Sequence, residues 1–320
     1  MILYFNHEIE VLVVDVLALI ILNIIFPIFI LMGMGMFLHR IYTFDLKTLS
    51  KLTTFYFLPV IGFVNIYESN IDVTIFFEIA GFQLLLSLFL ITISSILTKV
   101  LKLNKGMAAN FKNSVVLMNS GNYGLPVSQL VFVNNPLGLT VQIIVMAIQN
   151  FITFTYGLLN SVAVHNQGRK LLLEFFKMPM IYALILGVIF QTFSIKIPNF
   201  LWVPIEKVSS AFLAVALLTL GAQVAYIQIK KINIILIISC IMRLVIAPLI
   251  ALTLILLLGI EGTIAKGLFI ASSFPSSRNT AQLALEYNNY PELAGQVVLL
   301  STLLSGLTVT LVVYFAQILF

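Results

Sequence analysis

Two short stretches hold most of the residues able to do chemistry inside otherwise apolar surroundings. NSGNYGLP, residues 119–126, gathers Asn119, Asn122, Gly124 and Pro126, and SSFPSSRN, residues 272–279, gathers Pro275, Ser276, Arg278 and Asn279. Proline removes a backbone donor and clashes with the preceding turn, while asparagine and serine satisfy the carbonyls and amides that come free. A helix carrying either stretch is therefore expected to open. Opened backbone at membrane depth is tolerated only where it is buried in protein or lines a water-filled cavity. Freed amides at half-helix N-termini attract anions, and freed carbonyls coordinate cations. Arg278 adds a fixed charge beside the second break. A cation at that depth costs about 2.5–3.5 kcal/mol or more, so it faces a cavity or a partner, and its planar fork matches a carboxylate. Pairing with a protein carboxylate is the structural alternative. A proline kink with small residues for packing explains either break alone; two breaks in matching positions point to a binding site.

Secondary candidates lie on neighbouring apolar runs. Gln142, Gln149, Asn150, Ser301, Thr302 and Ser305 are placed to line the same cavity, with Gln149 and Ser301 put forward as contacts, although interhelical hydrogen bonds account for such residues equally well. Glu78 and Glu286 are candidate proton carriers, and Arg243 reads as structural. With one cysteine and three scattered histidines, neither a metal centre nor a disulfide framework is expected. No cofactor is implied; the coupling ion, H+ or Na+, stays open.

The elements that must position these groups follow from composition. Of 320 residues 61% are hydrophobic and 9% charged, far from the balance of a soluble domain, and an all-α polytopic membrane protein results. Charge and turn clusters divide the chain into ten apolar stretches, near 12–38, 49–67, 74–98, 110–133, 138–163, 177–194, 203–226, 232–258, 264–288 and 293–318. Lysine and arginine gather on alternate loops: Arg40, Lys47 and Lys51; Lys99, Lys102, Lys105 and Lys112; Arg169, Lys170 and Lys177; Lys230 and Lys231. Those loops are expected to be cytoplasmic, which leaves both termini external. The net charge of +5 is explained in the same way, without nucleic acid. Pro27 pairs with Pro179, and Pro126 with Pro275, at similar offsets. Five spans per half is an odd number, so the second half is expected upside down relative to the first, as in many secondary transporters. The organisation expected is a five-helix repeat over residues 1–164, a cytoplasmic loop over 165–176 and an inverted five-helix repeat over 177–320.

At the two broken spans the sequence resembles the auxin efflux carrier family, which includes plant auxin exporters and bacterial malate-permease-like proteins. The likeness rests on NSGNYGLP at 119–126, FPSSRNTAQLALEYNNYP at 274–291 and STLLSGLT at 301–308, and extends from FPIFILMGMG at Phe26 over the whole chain. It implies ten helices in two inverted repeats, with helices four and nine broken and crossing at their prolines at the bilayer centre. By motif, Asn119, Asn122, Gly124 and Pro126 fall on the first crossover, and Pro275 and Asn279 on the second. Arg278 departs from the pattern, and an added cation there favours a more strongly anionic ligand.

The expectation is a plasma-membrane carrier of organic anions, mono- or dicarboxylates such as malate, working by alternating access in the lipid bilayer, with a homodimer open as its assembly. An enzyme is disfavoured: no GxSG, HExxH or intramembrane aspartate pair occurs, and GxxxxGK[ST], the signature of an ATP-driven pump, is missing. A channel for small anions or solutes, and a sodium- or proton-coupled symporter of another substrate class, remain the alternatives.

Overall fold

The computed structural model describes residues 18–68, 73–162, 179–227 and 232–320. Within them the chain is all helical. The helices are α1 (Ala18–Tyr42), α2 (Leu46–Glu68), α3 (Val73–Val100), α4 (Lys105–Val116), α5 (a wide turn at Ser120–Gly124 running into Leu125–Val131), α6 (Pro136–Ser161), α7 (Pro179–Thr192), α8 (Asn199–Val224), α9 (Ile234–Leu258), α10 (Gly262–Ser272), α11 (Arg278–Glu286) and α12 (Pro291–Leu319). Seven of them, α1, α2, α3, α6, α8, α9 and α12, are long and apolar enough to cross a membrane. The stretches expected as spans near 110–133 and 264–288 are each two helices, α4 with α5 and α10 with α11. The loop over 165–176, the basic residues Arg169, Lys170, Lys177, Lys230 and Lys231, the start of the first apolar stretch and the Glu286 side chain lie outside the described residues.

Prolines explain the irregular turns. Five-residue π-turns occupy Ile21–Ile25, Thr53–Phe57, Ser120–Gly124 and Met242–Ile246, each ending two residues before a proline: Pro27, Pro59, Pro126 and Pro248. A proline ring collides with the carbonyl four residues back and offers it no N–H. Widening the preceding turn to i→i+5 bonding moves that carbonyl aside and lets the helix continue. A further π-turn at Thr153–Gly157 has no proline after it, and only its terminal Gly157 suggests a cause. Side chains cap several starts: Asp45 for α2, Asn104 for α4, Asn135 for α6, Asn233 for α9 and Ser277 for α11.

Small residues set the closest packing, as expected where lipid removes the hydrophobic drive between helices. Helices α1 and α8 touch backbone to backbone, Gly35 against Leu218 and Gly221 against Met32. Helices α2 and α7 also meet at glycines, Gly62 under the Met180 side chain and Gly187 against the Ile66 side chain and the Phe63 carbonyl. In the rest of the bundle α3 packs on α4 and α6, α9 on α10 and α12, α4 on α12, α10 on α6, α5 on α6 and α11 on α12. The two interrupted helices lie at the centre of these contacts, with Val115, Val116, Leu117, Tyr123, Ile270 and Phe274 all buried.

Candidate functional site

The breaks at residues 117–119 and 273–277 are held side by side by their own backbones. Met118 and Ser276 form an antiparallel bridge. The Asn119 amide donates to the Pro275 carbonyl at 2.8 Å and the Ser277 amide to the Leu117 carbonyl at 2.7 Å. Pro275 has no amide to offer, yet its carbonyl is free to accept, so proline at this place breaks the helix and still serves the pairing. Gly124 lets the second segment come close: a Cβ there would sit 2.5 Å from the Phe274 ring and 2.9 Å from the Gln142 amide nitrogen. Gly124 and Pro126 are themselves helical, because the π-turn closed by the Gly124 amide on the Asn119 carbonyl accommodates the proline. The opening is therefore narrower than residues 119–126.

A helix that stops in the membrane leaves carbonyls without partners. At the end of α4 each is met by a named group. Ser276 Oγ donates to Ser114 O at 2.7 Å, Arg243 Nη1 to Val115 O at 3.1 Å and Gln149 Nε2 to Val116 O at 3.3 Å. The Thr280 hydroxyl donates to Asn113 O at 3.3 Å. Arg243, 1% exposed and carried on the π-turn of α9, also donates through Nη2 to the Ser272 carbonyl that ends α10. A single guanidinium thus closes the C-termini of both half-helices, where the negative ends of two dipoles compensate its charge without a carboxylate. Arg243 is structural, as its position in an apolar run suggests.

On one side of the paired breaks is a cavity of about 780 Å³. Its wall includes Asn119, Ser120, Gly121 and Asn122 from the first break, Ser277, Arg278, Asn279 and Gln282 from the second, Gln149 and Asn150 from α6, and Lys47, Ser50 and Lys51 from α2. Among the described residues lining it, every charged side chain is a cation. The first turns of α5 and α11 both begin here, which turns two helix N-termini toward the same space. Asn119, 5% exposed, has an Nδ2 with no partner among the described residues. Among the described residues Arg278 donates one bond, Nη1 to Ser50 Oγ at 2.7 Å, out of the five a guanidinium can make. Ser50 Oγ also accepts from Gln223 Nε2 at 2.8 Å and donates to Leu46 O at 2.6 Å, so this one hydroxyl ties α11 to α2 and α8.

Of the residues expected at the site, Asn119, Asn122, Arg278, Asn279 and Gln149 are brought together on the cavity wall. The polar head of Gln149 is already engaged, donating to Val116 O and accepting from Gln83 Nε2 at 3.0 Å. Ser276 and Ser301 lie behind the wall: the Ser276 amide donates to Ser301 Oγ at 3.2 Å. Gly124, Pro126 and Pro275 shape the breaks and do not line the cavity. Gln142 braces the Ser120 carbonyl at 2.8 Å, and the buried Ser305 hydroxyl donates to Tyr123 OH at 2.8 Å. Glu78 is on an exposed face of α3, away from the cavity. Sequence reasoning assigned Lys47 and Lys51 to a loop and passed over Ser50. All three are on the first turns of α2, started by the Asp45 cap, and the signal that marks them is the four-residue spacing of the lysines after an N-capping aspartate.

The site is thus a bundle of membrane-length helices with two interrupted helices paired beside a cavity that polar and cationic side chains help to line. The family described as membrane transport protein matches residues 20–313, and the chain belongs to it, the family of auxin efflux carriers and malate-permease-like proteins. This is a family of transporters, not of enzymes. Comparison with curated proteins finds no match.

Proposed function

We propose that the protein is a secondary carrier of organic anions, mono- or dicarboxylates such as malate, which binds its substrate at the paired breaks and works by alternating access. The observation that carries this reading is the cavity beside the breaks, where every charged side chain among the described lining residues is a cation. A carboxylate placed there accepts from Arg278, which has donors to spare, and from the unpartnered Asn119 amide. Two helix N-termini face the same charge. Low-dielectric surroundings strengthen each contact once water is excluded.

The architecture proposed is ten spans in two inverted repeats, residues 1–164 and 177–320, joined by a cytoplasmic loop over 165–176, with both termini outside the plasma membrane. Support comes from which helices touch. Exchanging α1–α6 for α7–α12 in order turns the α1–α8 contact into α7–α2, α3–α4 into α9–α10, α3–α6 into α9–α12, α10–α6 into α4–α12 and α11–α12 into α5–α6, and every one of these pairs is in contact. A repeat that can adopt its partner's arrangement is the physical basis of alternating access.

Titration calorimetry of the purified protein with mono- and dicarboxylates, neutral amides of the same length and inorganic cations tests the site. Carboxylates bind and the amides do not. Arg278→Gln weakens carboxylate binding by about 1.5–3 kcal/mol, the worth of a charged hydrogen bond, while Lys196→Gln, on an exposed loop away from the cavity, changes nothing. Equal affinity for an acid and its amide would overturn the anion reading.

A further inference from the structure

The cavity holds more positive charge than one carboxylate can neutralise. Arg278 stands on the wall built by the breaks, and Lys47 and Lys51 on the facing wall built by α2. The distance between these walls is short, because Arg278 Nη1 reaches Ser50 Oγ at 2.7 Å and Ser50 lies between the two lysines on the same turns of α2. Lys47 and Lys51 are four residues apart, so their side chains leave one face of the helix one above the other. Like charges at that spacing repel and destabilise the helix slightly unless an anion lies between them. The carboxylate closest in sequence, Asp45, gives one oxygen to the Lys47 amide at 3.0 Å and the other to the Thr48 hydroxyl at 2.5 Å; it closes the start of α2 and offsets part of the Lys47 charge, but is not part of the cavity wall. Both lysines are exposed, so their ammonium groups remain hydrated and free to turn toward a bound anion.

We infer that Lys47 and Lys51 form a second anion-binding subsite facing Arg278, so that the carrier selects short-chain dicarboxylates over monocarboxylates. The inference rests on the carboxylate reading above and narrows it. One carboxylate occupies the Arg278 and Asn119 end, the other the lysine pair on α2, and the chain between them crosses the cavity beside Asn122. A monocarboxylate leaves the lysine pair without a ligand anion, whereas a dianion engages both ends at once. The subsite also joins through the ligand the two walls that the Arg278–Ser50 hydrogen bond joins, so a dianion takes over the link between α11 and α2 when it draws Arg278 away.

The test compares succinate with butyrate, which share a four-carbon chain and differ by one carboxylate, in calorimetric titrations of the full-length protein and of Lys47→Gln/Lys51→Gln and Arg278→Gln, each checked for an unchanged melting temperature. The parent binds succinate at least about tenfold more tightly than butyrate, and the double lysine variant loses about tenfold for succinate while butyrate stays within about twofold. Arg278→Gln weakens both ligands. Equal affinities for the two acids in the parent, or a double lysine variant that leaves succinate unchanged or weakens both acids alike, would overturn the second subsite and leave the carboxylate site standing. Absence of binding by either acid would overturn the carboxylate reading itself, and the subsite with it.

Discussion

Arg243→Met removes a cation whose only visible work is to close two broken helices, and the consequence can be sized. The substitution takes away the donor to Val115 O, at 3.1 Å, and the donor to Ser272 O, in a position 1% exposed. An unpaired buried carbonyl costs about 1–3 kcal/mol, so the two together cost about 2–6 kcal/mol. Methionine needs no desolvated charge, and replacing buried ions by apolar groups can return about 1–4 kcal/mol; the lost attraction of two helix C-termini works the other way by up to about 2 kcal/mol at a favourable site. The central values of these terms leave a net loss of about 2.5 kcal/mol. Arg243→Lys keeps the charge but, as a point donor, closes one carbonyl well and loses about half as much. Cys240, buried on α9 one turn before Arg243 and the one cysteine of the chain, reports unfolding directly: the temperature at which a thiol-reactive dye labels it should fall in the order parent, Arg243→Lys, Arg243→Met. An Arg243→Met protein that holds its thiol to the parent's temperature or above would refute the reasoning, since it would mean that the two carbonyls need no closure.

Further consequences follow from the same contacts. Gly124→Ala places a methyl 2.5 Å from the Phe274 ring, which forces the paired breaks apart; substrate affinity should fall by more than about tenfold, an overpacking cost of roughly 1–3 kcal/mol, and Phe274→Leu should restore part of it. The Asp45 carboxyl is held below its ordinary value, first by the Thr48 hydroxyl and then by the Lys47 amide. Its folded-state pKa is therefore depressed, so the support it gives to the start of α2 is present above the unfolded value of about 3.9 and is lost as pH falls through the folded value. Hydrogen exchange of the Lys47 amide, corrected for intrinsic rate, should accelerate only in that acid range, and Asp45→Asn should abolish the pH dependence.

The breaks themselves were legible because proline, glycine and asparagine concentrated in eight residues are incompatible with a continuous helix in lipid. That they meet at their prolines was expected from the repeat and the family resemblance, but the hydrogen bonds that join them were not legible. Met118 and Ser276 are far apart in sequence, and the bridge between them depends on backbone groups that carry no residue signature. Arg278 was identified from the cost of a charge at membrane depth, and the two asparagines of the first break from the helix-breaking cluster and the motif they belong to. The same argument cannot tell a group that faces water from one that closes a freed carbonyl, which is why Ser301 and Gln149 read like ligand contacts and turn out to be occupied with backbone and side-chain partners. Lys47 and Lys51 were hidden by a rule that works on average. Basic residues next to an apolar run are counted as loop charges that set orientation, and here the helix starts at Leu46, before them, because Asp45 caps it. Prolines 27, 59 and 248 lie inside α1, α2 and α9, and the π-turns before them keep these helices continuous.

Solute counterflow in proteoliposomes is the most direct test of the central claim. Vesicles preloaded with unlabelled succinate and diluted into a trace of labelled succinate should show a transient accumulation of label, saturable in external succinate, abolished by Arg278→Gln and retained in Lys196→Gln. Label that enters only to equilibrium, at a rate proportional to concentration and indifferent to the preloaded acid, would contradict a carrier working by alternating access at the cationic cavity.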